Sequence, residues 1–122
     1  MGWALVFLGG GLGASLRHGL NLWGQTLSGG GFPWWTMAAN IGGSFLMGLA
    51  AGGVAQSALH PDTRLMLTTG VLGGFTTFSA FSLDAVGLWQ RGETTQALAY
   101  VALSVALAIV GLVAGLAVTR LA

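Results

Sequence analysis

The sequence predicts an all-α membrane protein of four transmembrane helices, the third broken near its middle, and three observations carry that expectation. The first is the scarcity of charge. Of 122 residues, 54% are hydrophobic and 6% charged, whereas an ordinary soluble domain carries about 25% charged residues. The second is the length of the charge-free stretches. No Asp, Glu, Lys or Arg occurs from His18 to Pro61, from Leu65 to Leu83, or from Thr94 to Thr119. A span takes roughly 20 mainly apolar residues, so the chain has room for about four crossings in one membrane domain. The third is a glycine- and hydroxyl-rich patch, Gly73–Phe81, in the middle of the third apolar stretch.

The first span reads as Trp3–Trp23. It opens on an apolar run without the positive n-region of a signal peptide, which marks a retained span. Gly24–Pro33, rich in Gly and Ser, connects it to a second span over Trp34–Gln56. His60-Pro61-Asp62 is a turn with Asp62 or Thr63 as the expected helix cap, and the third span follows over Leu65–Gln90. Arg91-Gly92-Glu93-Thr94 is a tight polar hairpin leading to the fourth, Thr95–Thr119. Trp23, Trp34, Trp35 and Trp89 then fall near one interface and Trp3 near the other, as an aromatic belt places them. Small residues four apart (Gly9 and Gly13; Ser44, Gly48 and Gly52; Gly111 and Gly115) predict close helix–helix approach.

Composition closes off several classes of function. There is no cysteine and no lysine, and the net charge is +1. Thiol chemistry, Cys-ligated metals and a basic nucleic-acid footprint are therefore excluded. Gly9-Gly10-Gly11-Leu12-Gly13-Ala14 fits a loose dinucleotide fingerprint, but no βαβ unit surrounds it and the first acidic residue is the distant Asp62. No nucleophile–base pair is present to assign to catalysis, so the chain is not expected to be an enzyme.

The positive-inside rule orients a membrane protein by its Arg and Lys excess. Arg64 and Arg120 lie toward one side of a four-span chain, and Arg17 and Arg91 toward the other. A balanced chain can insert both ways, and four short helices enclose little polar volume alone. An antiparallel, dual-topology homodimer is the expected assembly.

Chemistry concentrates in Gly70-Val71-Leu72-Gly73-Gly74-Phe75-Thr76-Thr77-Phe78-Ser79-Ala80-Phe81. A helix break here, expected over Gly73–Thr76, frees backbone groups, which a membrane tolerates only where protein, water or an ion satisfies them. Free carbonyls are hard oxygen ligands for a small cation; a helix kinked for packing is the plainer alternative. Phe75, Phe78 and Phe81, at i, i+3 and i+6, are expected on one face, where electropositive ring edges could favour an anion. Thr36, Asn40, Ser44, Gly48 and Gly52 recur every four residues as one stripe. Asn40 brings two N–H donors to that depth, for an interhelical bond or a ligand. Tyr100 and Ser104 repeat the spacing in the fourth span. Arg17 and Asp84 each lie about two turns inside the same interface; intramembrane charges pair or line a cavity, so a pair is expected, with Arg17 as a second possibility at a pore mouth.

Gly10-Gly11-Leu12-Gly13-Ala14-Ser15-Leu16-Arg17, Asn40-Ile41-Gly42-Gly43-Ser44-Phe45-Leu46-Met47-Gly48 and Gly70 through Ser82 together carry a family resemblance. Over essentially its whole length the chain resembles the Fluc (CrcB-like) fluoride channels of bacteria and archaea. The resemblance implies a multi-pass protein of the cell (inner) membrane that passively exports fluoride from the cytoplasm as an antiparallel homodimer with two pathways. Gly73 and Thr76 would give backbone carbonyls to a structural sodium ion on the dimer axis. Asn40 would donate to fluoride, Phe78 and Phe81 would turn ring edges to it, and Tyr100 and Ser104 would begin a polar track, with Thr36 on the same stripe as Asn40. Ala108 stands where some members carry a hydroxyl, and Asp84 where members often have Glu. The rival expectation is a small multidrug-resistance-type proton-coupled exporter, which needs a carboxylate deep in the first span; that span has no acid.

Overall fold

The structure, a computed structural model, describes residues 1–28, 31–52 and 57–121. Among these, all regular structure is helical. Helix α1 (Gly2–Ser28) continues past Trp23 into the expected connector, where Thr26 Oγ1 donates to Leu22 O at 2.9 Å and so satisfies its hydroxyl on the helix itself. Helix α2 (Trp34–Ala51) follows; the expected end of that span, through Gln56, lies outside the described residues. Helix α3 begins at Pro61–Leu65, runs without a gap through a π-helical segment, Met66–Leu72, and ends in a last turn, Gly73–Phe75. Helices α4 (Ser79–Gln90) and α5 (Thr94–Leu121) complete the chain.

The cap of α3 is His60, not Asp62 or Thr63: its Nδ1 accepts from the Asp62 N–H at 3.1 Å. Pro61 explains the shift, because its missing N–H and fixed φ suit the first helical position, which puts the cap at His60, two residues before Asp62. The Arg91–Thr94 hairpin forms as expected. Gly92 adopts φ 81°, its N–H reaches Trp89 O at 3.0 Å, and the Glu93 N–H reaches Leu88 O at 2.9 Å. This is a Schellman closure, in which glycine takes the left-handed position that a Cβ disfavours. Arg91 and Glu93 pair across it at 3.5 Å.

The break in the third span is present but displaced. Gly73 is still helical, with φ −62° and ψ −37°, and the chain leaves the helix at Thr76, with φ −82° and ψ 156°. The expected break over Gly73–Thr76 is therefore corrected to Thr76-Thr77-Phe78. Glycine permits a break without forcing one. Here Gly74 serves packing instead, since a Cβ on it would collide with the Gly10 backbone.

Two helix pairs build the bundle, and glycine sets their spacing. On one side α1 runs parallel to the first half of α3. Gly9 lies against Met66 and Gly70, and Gly13 against Val71 and Phe75, so close that any Cβ would strike backbone. On the other side α2 runs parallel to α5, with Gly48 against Leu112 and Gly115, and Gly52 against Thr119. Small residues let backbones approach where lipid offers no hydrophobic drive for association. Helix α4 returns onto α5 through a cluster of Met37, Phe81, Leu88, Ala97 and Tyr100.

Large apolar side chains face outward: Trp3, Phe7, Leu12 and Leu16 on α1, and Leu98, Ile109, Val110 and Val113 on α5. Two segments, 61–90 and 94–119, are long and apolar enough to cross a membrane. Helices α1 and α2 have 27 and 18 residues but dilute their apolar content with Arg17, His18 and Asn21 in one and Asn40 and Ser44 in the other.

Candidate functional site

The break opens a cleft of about 380 Å³, lined by Asn40 and Ser44 from α2, by Gly73, Thr76, Thr77, Phe78 and Phe81 around the break, and by Ser104, Val105 and Ala108 from α5. None of these side chains carries a formal charge.

Asn40 organises the break. Its Nδ2 donates to Thr77 O at 3.0 Å, and its Oδ1 accepts from the Thr77 N–H at 2.7 Å. In an uninterrupted helix that N–H would reach Gly73 O. A second diversion follows. The Ala80 N–H, whose helical acceptor would be Thr76 O, donates instead to Thr77 Oγ1 at 3.1 Å, so Thr77 caps the start of α4 as an N-cap hydroxyl does. The carbonyls of Gly73 and Thr76 thus both lose their helical donors. Those are the two residues expected to offer oxygens to a small cation. The Thr76 hydroxyl turns back to Leu72 O at 3.0 Å, leaving its carbonyl as the free oxygen donor.

The break also splits the expected phenylalanine face. Phe78 and Phe81 remain together, ring centroids 5.6 Å apart and tilted by 55°, and both line the cleft. Phe75 belongs to the preceding half and lies on the far side, in an apolar groove with Leu12, Leu16 and Trp23. An i, i+3, i+6 face requires a continuous helix, and the three non-helical residues Thr76, Thr77 and Phe78 rotate it apart. Phe81 is anchored, 9% exposed and packed against Tyr100 with centroids 5.2 Å apart and the rings tilted by 37°; Phe78 is 78% exposed.

Ser104 is 4% exposed, and its Oγ has no hydrogen-bond partner among the described residues. A buried hydroxyl without a partner is costly, and this one borders the cleft. Asn40 commits one of its two amide hydrogens to Thr77 O and keeps the other. Two neutral donors therefore stand beside two aromatic rings in one space. Thr36 and Tyr100 are buried one turn earlier on α2 and α5 and do not line the cleft.

Arg17 and Asp84 do not pair. Arg17 Nε donates to Gly74 O at 3.4 Å, and Asp84 Oδ2 accepts from the Tyr100 hydroxyl at 3.2 Å. Each charge finds a nearer partner on the helix packed beside it, so the expected ion pair is corrected to two separate contacts. Asp84 also borders a smaller cavity of about 250 Å³ with Gly31, Pro33 and Arg91.

Sequence reasoning missed Thr77 and Ser44 as site residues. Ser44 stood on the Asn40 stripe, and that spacing was signal enough. Thr77 was hidden because its backbone, not its side chain, meets Asn40.

A family model for the CrcB-like protein, Camphor Resistance (CrcB), matches residues 4–116. The fluoride-specific ion channel FluC of Rhodopseudomonas palustris (strain BisB5) is 53% identical, covering 98% of both chains. FluC 2 of Nitrobacter hamburgensis is 52% identical, again over 98% of each. FluC of Mesorhizobium japonicum is 49% identical over 95% of this chain and 94% of its own. These relatives are named as ion channels, so the family is one of channels and not of enzymes. An apolar helical bundle with a cleft at its broken helix is thus joined to a full-length family match, and the chain belongs to the CrcB-like family of membrane proteins.

Proposed function

We propose that this protein is a fluoride-selective channel that passively exports fluoride from the cytoplasm. One observation carries the reading: the cleft at the break combines neutral donors with two phenylalanine side chains and holds no formal charge. Fluoride is small and strongly hydrated, so leaving water demands replacement hydrogen bonds. The spare Asn40 hydrogen and the unpartnered Ser104 hydroxyl offer them, and the edges of Phe78 and Phe81 add weak positive potential. A buried lysine or arginine would bind too deeply, whereas conduction needs sites an ion can leave. The names of the relatives point to the same ion.

Four crossings in the inner membrane fit the lengths of α1 and α2 and the outward apolar side chains. An antiparallel homodimer fits the even division of arginines and the exposure of Phe78, which in one chain borders an open cleft. A structural sodium ion fits the carbonyls of Gly73 and Thr76, whose helical donors are both diverted. Such an ion would supply positive charge to two oxygens that water would otherwise have to reach. A proton-coupled exporter is disfavoured because α1 contains no acid.

Purified protein in liposomes, with a fluoride electrode outside, tests the assignment. Rapid fluoride efflux without chloride efflux is expected, lost in Asn40→Asp and Phe78→Ala. Absence of efflux from the wild-type protein would overturn the channel reading.

A further inference from the structure

Arg17 is an intramembrane charge without a carboxylate partner among the described residues, and its contact explains why. The parallel packing of α1 on α3 pairs Gly9 with Gly70, Gly10 with Gly74, and Gly13 with Phe75. Helix α3 stops at Phe75, but α1 continues. Arg17 lies one turn beyond Gly13 on the same face, about 6 Å further along the axis, and so reaches the end of the broken helix. There its Nε donates to Gly74 O at 3.4 Å.

In a continuous helix Gly74 O would receive the N–H of Phe78. Arg17 therefore stands in for the donor of the helical bond next to the diverted Thr77 N–H, within the stretch bounded by Thr77 to Asn40 and Ala80 to the Thr77 hydroxyl. We propose that Arg17 is a positioning residue: it caps the carbonyl end of the first half of α3 and holds the break open in register with the cleft. Its work is done by the Nε–H on Gly74, and not by a positive potential at the mouth of the pathway.

Chain geometry separates these two roles. Glutamine carries its amide nitrogen the same number of bonds from Cα as arginine carries Nε, without the charge. Lysine keeps the charge but has a methylene at that point. The test is fluoride efflux from liposomes for Arg17→Gln, Arg17→Lys and Arg17→Met, with thermal unfolding of each in detergent. The capping role expects Arg17→Gln within about threefold of wild type and both Arg17→Lys and Arg17→Met at least tenfold slower. Efflux retained by Arg17→Lys and lost in Arg17→Gln would overturn it in favour of a charge effect. Wild-type rates in all three would overturn it outright. Should Arg17→Met fail to fold, the Gln–Lys comparison still decides.

The efflux readout rests on the channel reading, but the unfolding series does not. If wild-type protein passes no fluoride, the channel reading fails alone, and the order of unfolding temperatures judges the cap. Gln above Lys supports it, and Lys equal to or above Gln overturns it.

Discussion

Asn40 and Thr77 exchange two hydrogen bonds across the bundle, side-chain amide to backbone N–H and C=O, at 2.7 and 3.0 Å. An asparagine on α2 thereby replaces a missing turn of α3. Its functional and structural roles are carried by different hydrogens of one amide, which makes them separable. Asn40→Asp keeps an acceptor for the Thr77 N–H but removes both donors and adds negative charge beside the anion path. Efflux is expected to fall at least a hundredfold. Asn40→Ala leaves the Thr77 N–H and carbonyl without partners, at a cost of about 1–3 kcal/mol for an unsatisfied buried group, and unfolding midpoints in detergent measure it. An Asn40→Ala protein as stable as wild type would show that the pairing does not hold the break.

Ser104 permits a sharper separation. Its hydroxyl is buried and lacks a partner among the described residues, so it costs the resting protein stability. Ser104→Ala is expected to leave stability unchanged or raised by up to about 1 kcal/mol while slowing fluoride efflux about tenfold. A residue used only in packing would show the reverse, lower stability with normal efflux. Paired unfolding and efflux measurements on the one variant decide between them.

The pattern of the chain revealed the helices and the place where chemistry gathers, because charge scarcity and hydroxyls amid glycines are local properties. It did not reveal the exact turn of the break. Gly73 looked like the weak point, yet helix continues through it, because what ends α3 is a set of long-range partners: Asn40 for Thr77, Arg17 for Gly74. The splitting of Phe75 from Phe78 follows from the same displacement. The Arg17–Asp84 pair was expected from depth alone, and depth says nothing of azimuth. Arg17 faces α3 because the Gly9–Gly13 face does, while Asp84 faces Tyr100 on α5.

Glycine packing predicts steep steric sensitivity away from the cleft. A Cβ on Gly48 would collide with the Leu112 carbonyl and crowd Gly115, and backbone cannot move aside as a side chain can. Gly48→Ala is expected to lose about 1–3 kcal/mol, the usual cost of overpacking. Gly42→Ala, where a Cβ would meet nothing within 4 Å, serves as its control and is expected to be neutral. Equal stability of the two variants would contradict the close approach of α2 and α5.

The diverted donors make a prediction about cations. If the Gly73 and Thr76 carbonyls hold sodium, replacing it with a large organic cation such as N-methylglucamine should lower the unfolding temperature and slow efflux. Lithium, being small, should restore part of both. A protein indifferent to this exchange has no accessible cation site at the break. Thr76→Ser keeps the carbonyl and should preserve the response, because the side-chain oxygen is directed to Leu72 and not toward the proposed ion.

Tyr100 holds Asp84 by a 3.2 Å hydrogen bond while its ring lies against Phe81 at 5.2 Å, so it joins an acidic side chain to the wall of the cleft. Tyr100→Phe removes the hydroxyl and keeps the ring. Asp84 then loses a donor, and a bond to a charged group contributes about 1.5–3 kcal/mol. Asp84→Asn keeps an acceptor for the same hydroxyl and should cost less. A double-mutant cycle over Tyr100→Phe and Asp84→Ala isolates the pair, with an expected coupling of about 0.5–3 kcal/mol for groups in contact. Because the Phe81 contact survives in Tyr100→Phe, efflux should fall only where Asp84 itself is freed to swing toward the pathway. Efflux loss in Tyr100→Phe that is reversed by adding Asp84→Ala identifies the unrestrained carboxylate as the obstacle to the anion. Loss that persists in the double variant would place the tyrosine hydroxyl itself on the path.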